Sequence, residues 1–210
     1  MRASPRLRLG DGDAEEGGFA PSGPRIGLFG GSFDPAHLGH LHLATTARRA
    51  CRLDQVWWMP SPQNPLKPEQ PSWRSRADTV RALPLPPGHV VSGIEVELGT
   101  TYTVDLLEHL ATHSPDVRWV FLMGSDNLAQ LPEWKHWQSL FALVPICVVA
   151  RPGPGHLRAR LGRAARQFAR ARIPESQAHT LPDLAPPAWT FLTTPHNSLS
   201  SSAIRATARG

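Results

Sequence analysis

The sequence predicts an α/β fold, a central parallel sheet flanked by helices, and three observations carry that expectation. Short apolar runs recur near residues 25–29, 54–59, 89–94, 118–123, 145–149 and 190–194, and strands this apolar seek cover on both faces, as in a parallel sheet. The intervals between them are long enough for crossover helices. At 210 residues the chain can build one substantial core, and no internal repeat divides it.

Residues 1–23 stand apart from this pattern. Arg2, Arg6 and Arg8 precede Asp11, Asp13, Glu15, Glu16 and several glycines, a composition that predicts a disordered extension or an over-called start before a single domain at 24–210. The acidic cluster and the missing apolar core argue against a targeting peptide.

Arg25-Ile26-Gly27-Leu28-Phe29 reads as the first buried strand. Gly30 and Gly31 then let the chain turn sharply and let a phosphate approach backbone N–H groups. From Gly39 onward Leu41, Leu43, Ala44, Ala47 and Cys51 form an imperfect helical stripe, whose free N–H groups and dipole favour an anion. His37 and His40, three positions apart, can share one side of its first turn. Two other readings stay open for these residues: a zinc fragment, which neither Cys51 nor Cys147 completes, and a plain glycine turn with ordinary histidines. A Walker A loop is excluded, because no Gly-Lys-Ser or Gly-Lys-Thr follows.

The strand at Val56 to Met59 leads into a proline-punctuated loop ending Pro65-Leu66-Lys67, where Lys67 is either a phosphate contact or a solvent-facing lysine. Arg74 and Arg76, just beyond, read as surface residues. Tyr102 and Thr103 precede an expected helix from about Val104 to Ala111, with Asp105 near its positive end. The strand Arg118 to Met123 ends at Gly124, where Ser125 or Asp126 is expected to cap a short helix. Trp134 and Trp137 follow, three positions apart; Trp137 reads as core. Near the end, Thr190 to Thr194 reads as a strand, Pro195-His196-Asn197 as a turn, and Ser200 or Ser201 as a helix cap with Arg205 one turn later. A frayed serine-rich tail is the alternative there.

Gly30-Gly31-Ser32-Phe33-Asp34-Pro35-Ala36-His37-Leu38-Gly39-His40 resembles the nucleotidyltransferase superfamily signature, Gly-Ser-Phe-Asp-Pro followed by His-x-Gly-His. A histidine at position 37 is similar to the bacterial nicotinate-nucleotide adenylyltransferase family, whereas a threonine there would point towards the pantetheine-phosphate enzymes. Leu199-Ser200-Ser201-Ser202-Ala203-Ile204-Arg205 resembles the family's Ile-Ser-Ser-Thr-x-Ile-Arg segment, with Ser202 in place of the usual threonine. Gly124-Ser125-Asp126-Asn127-Leu128 through Trp134 and Trp137 resembles its Gly-Ala-Asp-Asn-Leu and Trp-x-x-Trp region, and Thr101-Tyr102-Thr103 to Leu107 its Ser-Tyr-Thr-x-Asp-Thr-Leu element, with Thr101 and Leu106 as variants. The matches span most of Arg25 to Arg205 in the family's order.

The resemblance implies a Rossmann-like nucleotidyltransferase fold with ligands across the carboxyl ends of the strands. It implies transfer of the adenylyl group of ATP to nicotinate mononucleotide, giving nicotinate adenine dinucleotide and pyrophosphate in NAD biosynthesis. By the same resemblance His40 and His37 are catalytic. Gly30, Gly31, Ser32, Phe33, Lys67, Ser201, Ser202 and Arg205 bind ATP phosphates, and Gly124 and Asp126 lie on the adenosine side. Tyr102, Thr103 and Trp134 bind the mononucleotide, Trp134 by stacking on the pyridine ring. Mg²⁺ is expected with ATP, held by phosphates and water and not by a protein cage. Asp34 reads as a turn residue, since a substrate phosphate needs no general base.

Composition bounds the rivals. The formal charge of +5, from 22 basic and 17 acidic residues, owes much to Arg151, Arg158, Arg160, Arg163, Arg166, Arg170 and Arg172. They could lie on one amphipathic helix with Leu157, Leu161, Ala164, Ala165 and Phe168 on its apolar side, which invites a basic nucleic-acid-binding module. No zinc, RRM or KH signature supports that rival, and no nucleic-acid partner is expected. The enzymatic alternative is nicotinamide mononucleotide or another phosphorylated small acceptor; these residues leave the choice between acid and amide open. No run approaches the roughly 20 apolar residues needed to span a bilayer, and two scattered cysteines suit a reducing cytoplasm. A homo-oligomer is compatible with the sequence and not specified by it.

Overall fold

In the computed structural model, residues 22–62, 70–151 and 159–193 are described. They form one six-stranded sheet: β1 (Arg25–Gly31), β2 (Gln55–Pro60), β3 (His89–Val91), β4 (Arg118–Gly124), β5 (Ile146–Val149) and β6 (Trp189–Leu192). The order is β3-β2-β1-β4-β5-β6, with every neighbouring pair parallel. This is the doubly wound arrangement in which the strand order reverses between β1 and β4, opening a crevice at their carboxyl ends.

Alternation along each strand divides the core into two layers. Ile26 and Leu28 of β1, Phe121 and Met123 of β4, and Trp189 and Phe191 of β6 face one layer. There they meet Val104, Leu106, Leu107 and Leu110 of a helix at Thr103–His113 and Leu140 and Phe141 of another at Trp137–Leu143. Phe29, Val56, Trp58, Val120 and Leu122 face the other, packed by Leu43, Ala44 and Ala47 of the helix α1 at Leu38–Ala50. Small residues permit the close approach. A Cβ on Gly27 would meet Leu53 Cδ1 at 2.7 Å and Leu122 Cδ1 at 2.8 Å. Trp137, expected in the core, is buried there.

Three expectations are corrected. The third strand is only three residues long, because the chain turns at Gly93 into a short helix at Ile94–Glu97. The helix Ser125–Gln130 has Gly124 at its N-cap with no side-chain cap bond; the Ser125 hydroxyl instead accepts from the Arg151 amide at 2.9 Å. The arginine-rich segment is not one amphipathic helix. Gly162 breaks it by capping a new helix at Arg163–Gln167, so Ala164 and Ala165 are buried while Leu161 is 65% exposed. Its cations lie on aromatic faces: Arg163 over Trp137 at 5.8 Å, Arg160 over Phe191 at 5.8 Å and Arg172 over Trp189 at 5.3 Å. Such contacts anchor the segment on the core. Residues 152–158, and with them Leu157 and Arg158, lie outside the described residues. Among the described residues no helix is long and apolar enough to cross a membrane.

Candidate active site

At the carboxyl ends of β1 and β4 lies a cavity of about 190 Å³. Gly30, Gly31 and Ser32 form one end, and Tyr102, Thr103 and Trp134 the other. A larger groove of about 360 Å³ opens at the opposite ends of the strands, between Pro115 to Trp119 and Leu184 to Pro186. It contains none of the residues singled out from the sequence. In open α/β sheets, ligands sit at the carboxyl side of the reversal, so volume does not decide between the two.

The glycine turn is fixed from beneath by a residue whose role the sequence did not betray. Arg76, expected at the surface, is 1% exposed. Its guanidinium donates to Ser32 O at 2.7 Å, Ser61 O at 2.5 Å, Pro62 O at 3.2 Å and Pro71 O at 2.9 Å. The rigid fork of five donors suits several carbonyls at once, and it ties the turn after β1 to the loop after β2. Beside it, the Thr79 hydroxyl donates to Arg76 O at 2.7 Å and accepts from the Ala36 amide at 3.0 Å. Phe33 holds a left-handed backbone, with φ 47, and its ring packs edge-on against Phe29 at 5.2 Å and His40 at 5.1 Å. The ring belongs to the core, which leaves only the backbone of Phe33 for a ligand.

His37 and His40 meet at the start of α1. His37 is the N-cap, its Nδ1 accepting from the Gly39 amide at 3.0 Å, and His40 Nδ1 accepts from the His37 amide at 3.2 Å. Two imidazoles thus make a reciprocal capping box, a task more often met by hydroxyls and carboxylates. Their ring centroids are 3.9 Å apart. Because each Nδ1 accepts, each neutral ring carries its proton on Nε2. Burial pushes His37 down to about 4 and His40 to about 2; the nearby Arg151 cation adds to both, while Asp126 partly opposes it at His37. Both rings are therefore held neutral at pH 7, each with its one ring N–H at Nε2. His37 Nε2 is buried without a partner.

Asp126 and Arg151 stand close by, joined at 3.1 Å between Oδ2 and a guanidinium nitrogen. A Cβ on Gly124 would collide with the Asp126 carboxylate and lie 3.1 Å from Arg151 Nε. Any side chain at position 124 would have to displace this pair from the strand end. Asp126 Oδ1 is buried without a partner. Among the described residues, no three His, Cys, Asp or Glu side chains gather to hold a metal.

At the other end, Tyr102 is the residue preceding the first turn of the Thr103–His113 helix and is 38% exposed. Lys135 Nζ lies 4.4 Å above its ring and 3.3 Å from Asp105 Oδ1. Trp134 is half-buried, its ring edge-to-face with Phe121 at 6.5 Å. Glu95, from the short helix after β3, is 6% exposed and also lines the cavity; burial lifts its carboxyl to about 7, against the opposing charge of Arg76.

The cavity therefore brings together Gly30, Gly31, Ser32, Tyr102, Thr103 and Trp134; the histidine pair packs behind the turn and Gly124 and Asp126 lie at the end of β4, none of these four on its wall. Lys67, Ser201, Ser202 and Arg205 lie outside the described residues. Arg76, Glu95, Lys135 and Arg151 were not singled out for the site from the sequence. A lone Glu95 between Ile94 and Val96 carries no motif, and Arg151 was masked by the arginine-rich stretch it opens.

A cytidylyltransferase-like family model matches residues 28–207. A Cereibacter sphaeroides protein named "probable nicotinate-nucleotide adenylyltransferase" is 50% identical over 185 residues, covering 88% of this chain and 98% of that protein. A protein of the same name from Roseobacter denitrificans is 45% identical over 188 residues, covering 89% and 94%. Among solved structures, Plasmodium falciparum nicotinic acid mononucleotide adenylyltransferase complexed with NaAD superposes with a TM-score of 0.67 at 16% identity, over 88% of this chain and 83% of that one. At that identity the likeness is one of fold.

Proposed function

The chain belongs to the cytidylyltransferase-like family and, within it, to the nicotinate-nucleotide adenylyltransferases, and from that membership we propose that it transfers the adenylyl group of ATP to nicotinate mononucleotide, releasing pyrophosphate. One observation carries the reading: a single cavity joins a glycine turn with a neighbouring imidazole pair to an indole beside a helix N-terminus. A mononucleotide has the same polarity, phosphate at one end and a flat ring at the other.

In the reaction a 5′-phosphate oxygen of the mononucleotide forms a bond to the α-phosphorus of ATP, and the bond from that phosphorus to the bridging oxygen breaks. The electron pair leaves on pyrophosphate. The attacking oxygen is already anionic, so alignment and charge stabilisation suffice. The backbone of Gly30, Gly31, Ser32 and Phe33 cradles phosphate, held in place by Arg76. His40 and His37 present Nε2–H donors towards the reacting phosphates. Neutral donors fixed by their own Nδ1 bonds need little reorganisation, which is the condition for electrostatic catalysis. The family's motifs assign Gly124 and Asp126 to the adenosine side, and assign Lys67, Ser201, Ser202 and Arg205, which lie outside the described residues, to the phosphates.

A magnesium ion brought in by the triphosphate would be held by phosphate oxygens and water, since among the described residues no carboxylate or imidazole cluster gathers to cage it. Such an ion supplies neutralisation of phosphate charge and a better leaving group. At the acceptor end Trp134 stacks on the pyridine ring, while Thr103 and Val104, whose amides open the helix, face the nicotinate carboxylate. The Lys135 cation on the same wall favours the acid over the amide. Small-molecule partners and a cytoplasmic setting follow from these reactants.

The test is pyrophosphate release by purified protein with ATP and Mg²⁺, run in parallel with nicotinate mononucleotide, nicotinamide mononucleotide and phosphopantetheine. The expected result is turnover with the first at the lowest concentration. No release with either pyridine nucleotide would sink the reading.

A further inference from the structure

Two residues lining the cavity each carry a buried polar atom with no hydrogen-bond partner: Glu95 Oε2 and Ser61 Oγ. Desolvating such groups is costly unless something completes them. Chain connectivity places them between the two ends of the cavity. The Ser61 amide donates to Gly31 O at 3.0 Å, which sets Ser61 against the glycine turn. The Glu95 carbonyl accepts from the Thr100 amide at 3.0 Å, which sets Glu95 against the strand of residues leading to Tyr102 and Thr103. Both residues line the same cavity. Arg76, whose charge opposes the rise at Glu95, donates to the Ser32, Ser61, Pro62 and Pro71 carbonyls, so Glu95 is not its hydrogen-bonded counterion.

We propose that Glu95 reads the ribose of the mononucleotide, its carboxylate accepting from the 2′- and 3′-hydroxyls with the Ser61 hydroxyl beside it. The proposal rests on the function above, which sets the pyridine at Trp134 and the phosphate at the glycine turn; the ribose is what lies between. A carboxylate is the usual acceptor for a vicinal diol, since it offers two oxygens and no competing donor. The raised carboxyl, near 7, agrees with a group that has lost water and has not yet gained its donors.

Steady-state kinetics with Glu95→Gln and with 2′-deoxy and 3′-deoxy nicotinate mononucleotide tests this. The variant is expected to raise KM for nicotinate mononucleotide about tenfold or more, the loss typical of a charge-assisted hydrogen bond, with kcat and KM for ATP within about threefold. With at least one deoxy substrate the variant and wild type should converge, because the bond is already gone. An unchanged KM for the mononucleotide, or a Glu95→Gln penalty that persists in full on both deoxy substrates, overturns the proposal. Wild-type protein gives an independent reading if the variant does not fold: both deoxy substrates performing like the parent would also overturn it. Wild type inactive with nicotinate mononucleotide itself defeats the functional reading instead, and this proposal with it.

Discussion

At the glycine-turn end of the cavity, His37, His40 and Arg76 are buried and each is bonded into the backbone. At the indole end, Tyr102, Lys135 and Asp105 are substantially exposed and touch each other through a cation over a ring and an ion pair. The first arrangement fixes dipoles before the ligand arrives. The second lets side chains adjust around it. Fixed polar groups serve a transition state, whose charge must be met without reorganisation, whereas adjustable ones serve recognition of a bound ring. Substitutions at the first end should therefore act on folding and kcat, and those at the second on KM.

Arg76 is where the largest effect is expected. Arg76→Met removes the donors to four carbonyls and leaves buried acceptors unmet, which should cost about 3–5 kcal/mol of stability and be read by denaturant titration. Arg76→Lys keeps the charge but loses the fork, so it should rescue little. Full rescue by lysine would mean that charge, and not geometry, holds the turn.

His40→Ala comes next, with kcat lowered about 10²–10³-fold if its Nε2–H meets the transition state. The lost capping bond should cost only about 1 kcal/mol. Near-normal turnover would reassign the residue to helix capping and break the contrast between the two ends.

Acidity probes the buried imidazoles, two at this end and His89 at the start of β3, where its Nδ1 accepts from Trp58 Nε1 at 3.0 Å. His37, His40 and His89 are held near 4, 2 and 4 by burial first, with Arg151 adding at the first two and Arg48 at the third. Their ordinary value is 6.5, so between pH 6.5 and about 4 the unfolded chain binds more protons and stability falls as pH falls. Glu95 acts oppositely. Its carboxyl rises from 4.5 to about 7, so its contribution is present below 4.5 and lost as pH rises through 7. Three groups outweigh one, and the melting temperature should drop from pH 7 to pH 5. Glu95→Gln removes the alkaline loss and should make that drop steeper. A flat profile in the wild type would mean that the imidazoles are accessible to protons.

What could be read from the sequence divides along the same line. The six strands were legible because a buried parallel strand must be apolar on both faces, as Val120 to Met123 are. The glycine turn, His37, His40 and Trp134 were legible because they belong to motifs with fixed spacing. Arg76 was not, since its partners are backbone carbonyls, and a carbonyl has no sequence identity. Glu95 was not, since its burial follows from a strand that ends early at Val91 and a helix that replaces it. The arginine-rich segment misled because a helical wheel cannot register the break at Gly162 or the rings on which Arg163 and Arg172 rest.

At the exposed end the effects should be smaller and confined to the acceptor. Trp134→Ala removes a ring face and should raise KM for nicotinate mononucleotide about tenfold with kcat nearly unchanged; an unaltered KM would return Trp134 to the core beside Phe121. Lys135→Ala should be weaker still. Its ammonium is half-exposed and shared between Asp105 and the Tyr102 ring, and such surface cations contribute little, screened further by salt. An increase of about two- to fivefold in KM for nicotinate mononucleotide is expected at low salt, shrinking as salt is added. With nicotinamide mononucleotide, which has no carboxylate, the same substitution should change nothing. Equal effects on both would leave the acid preference to the helix amides at Thr103 and Val104, because backbone donors fixed at a helix start do not depend on a mobile side chain.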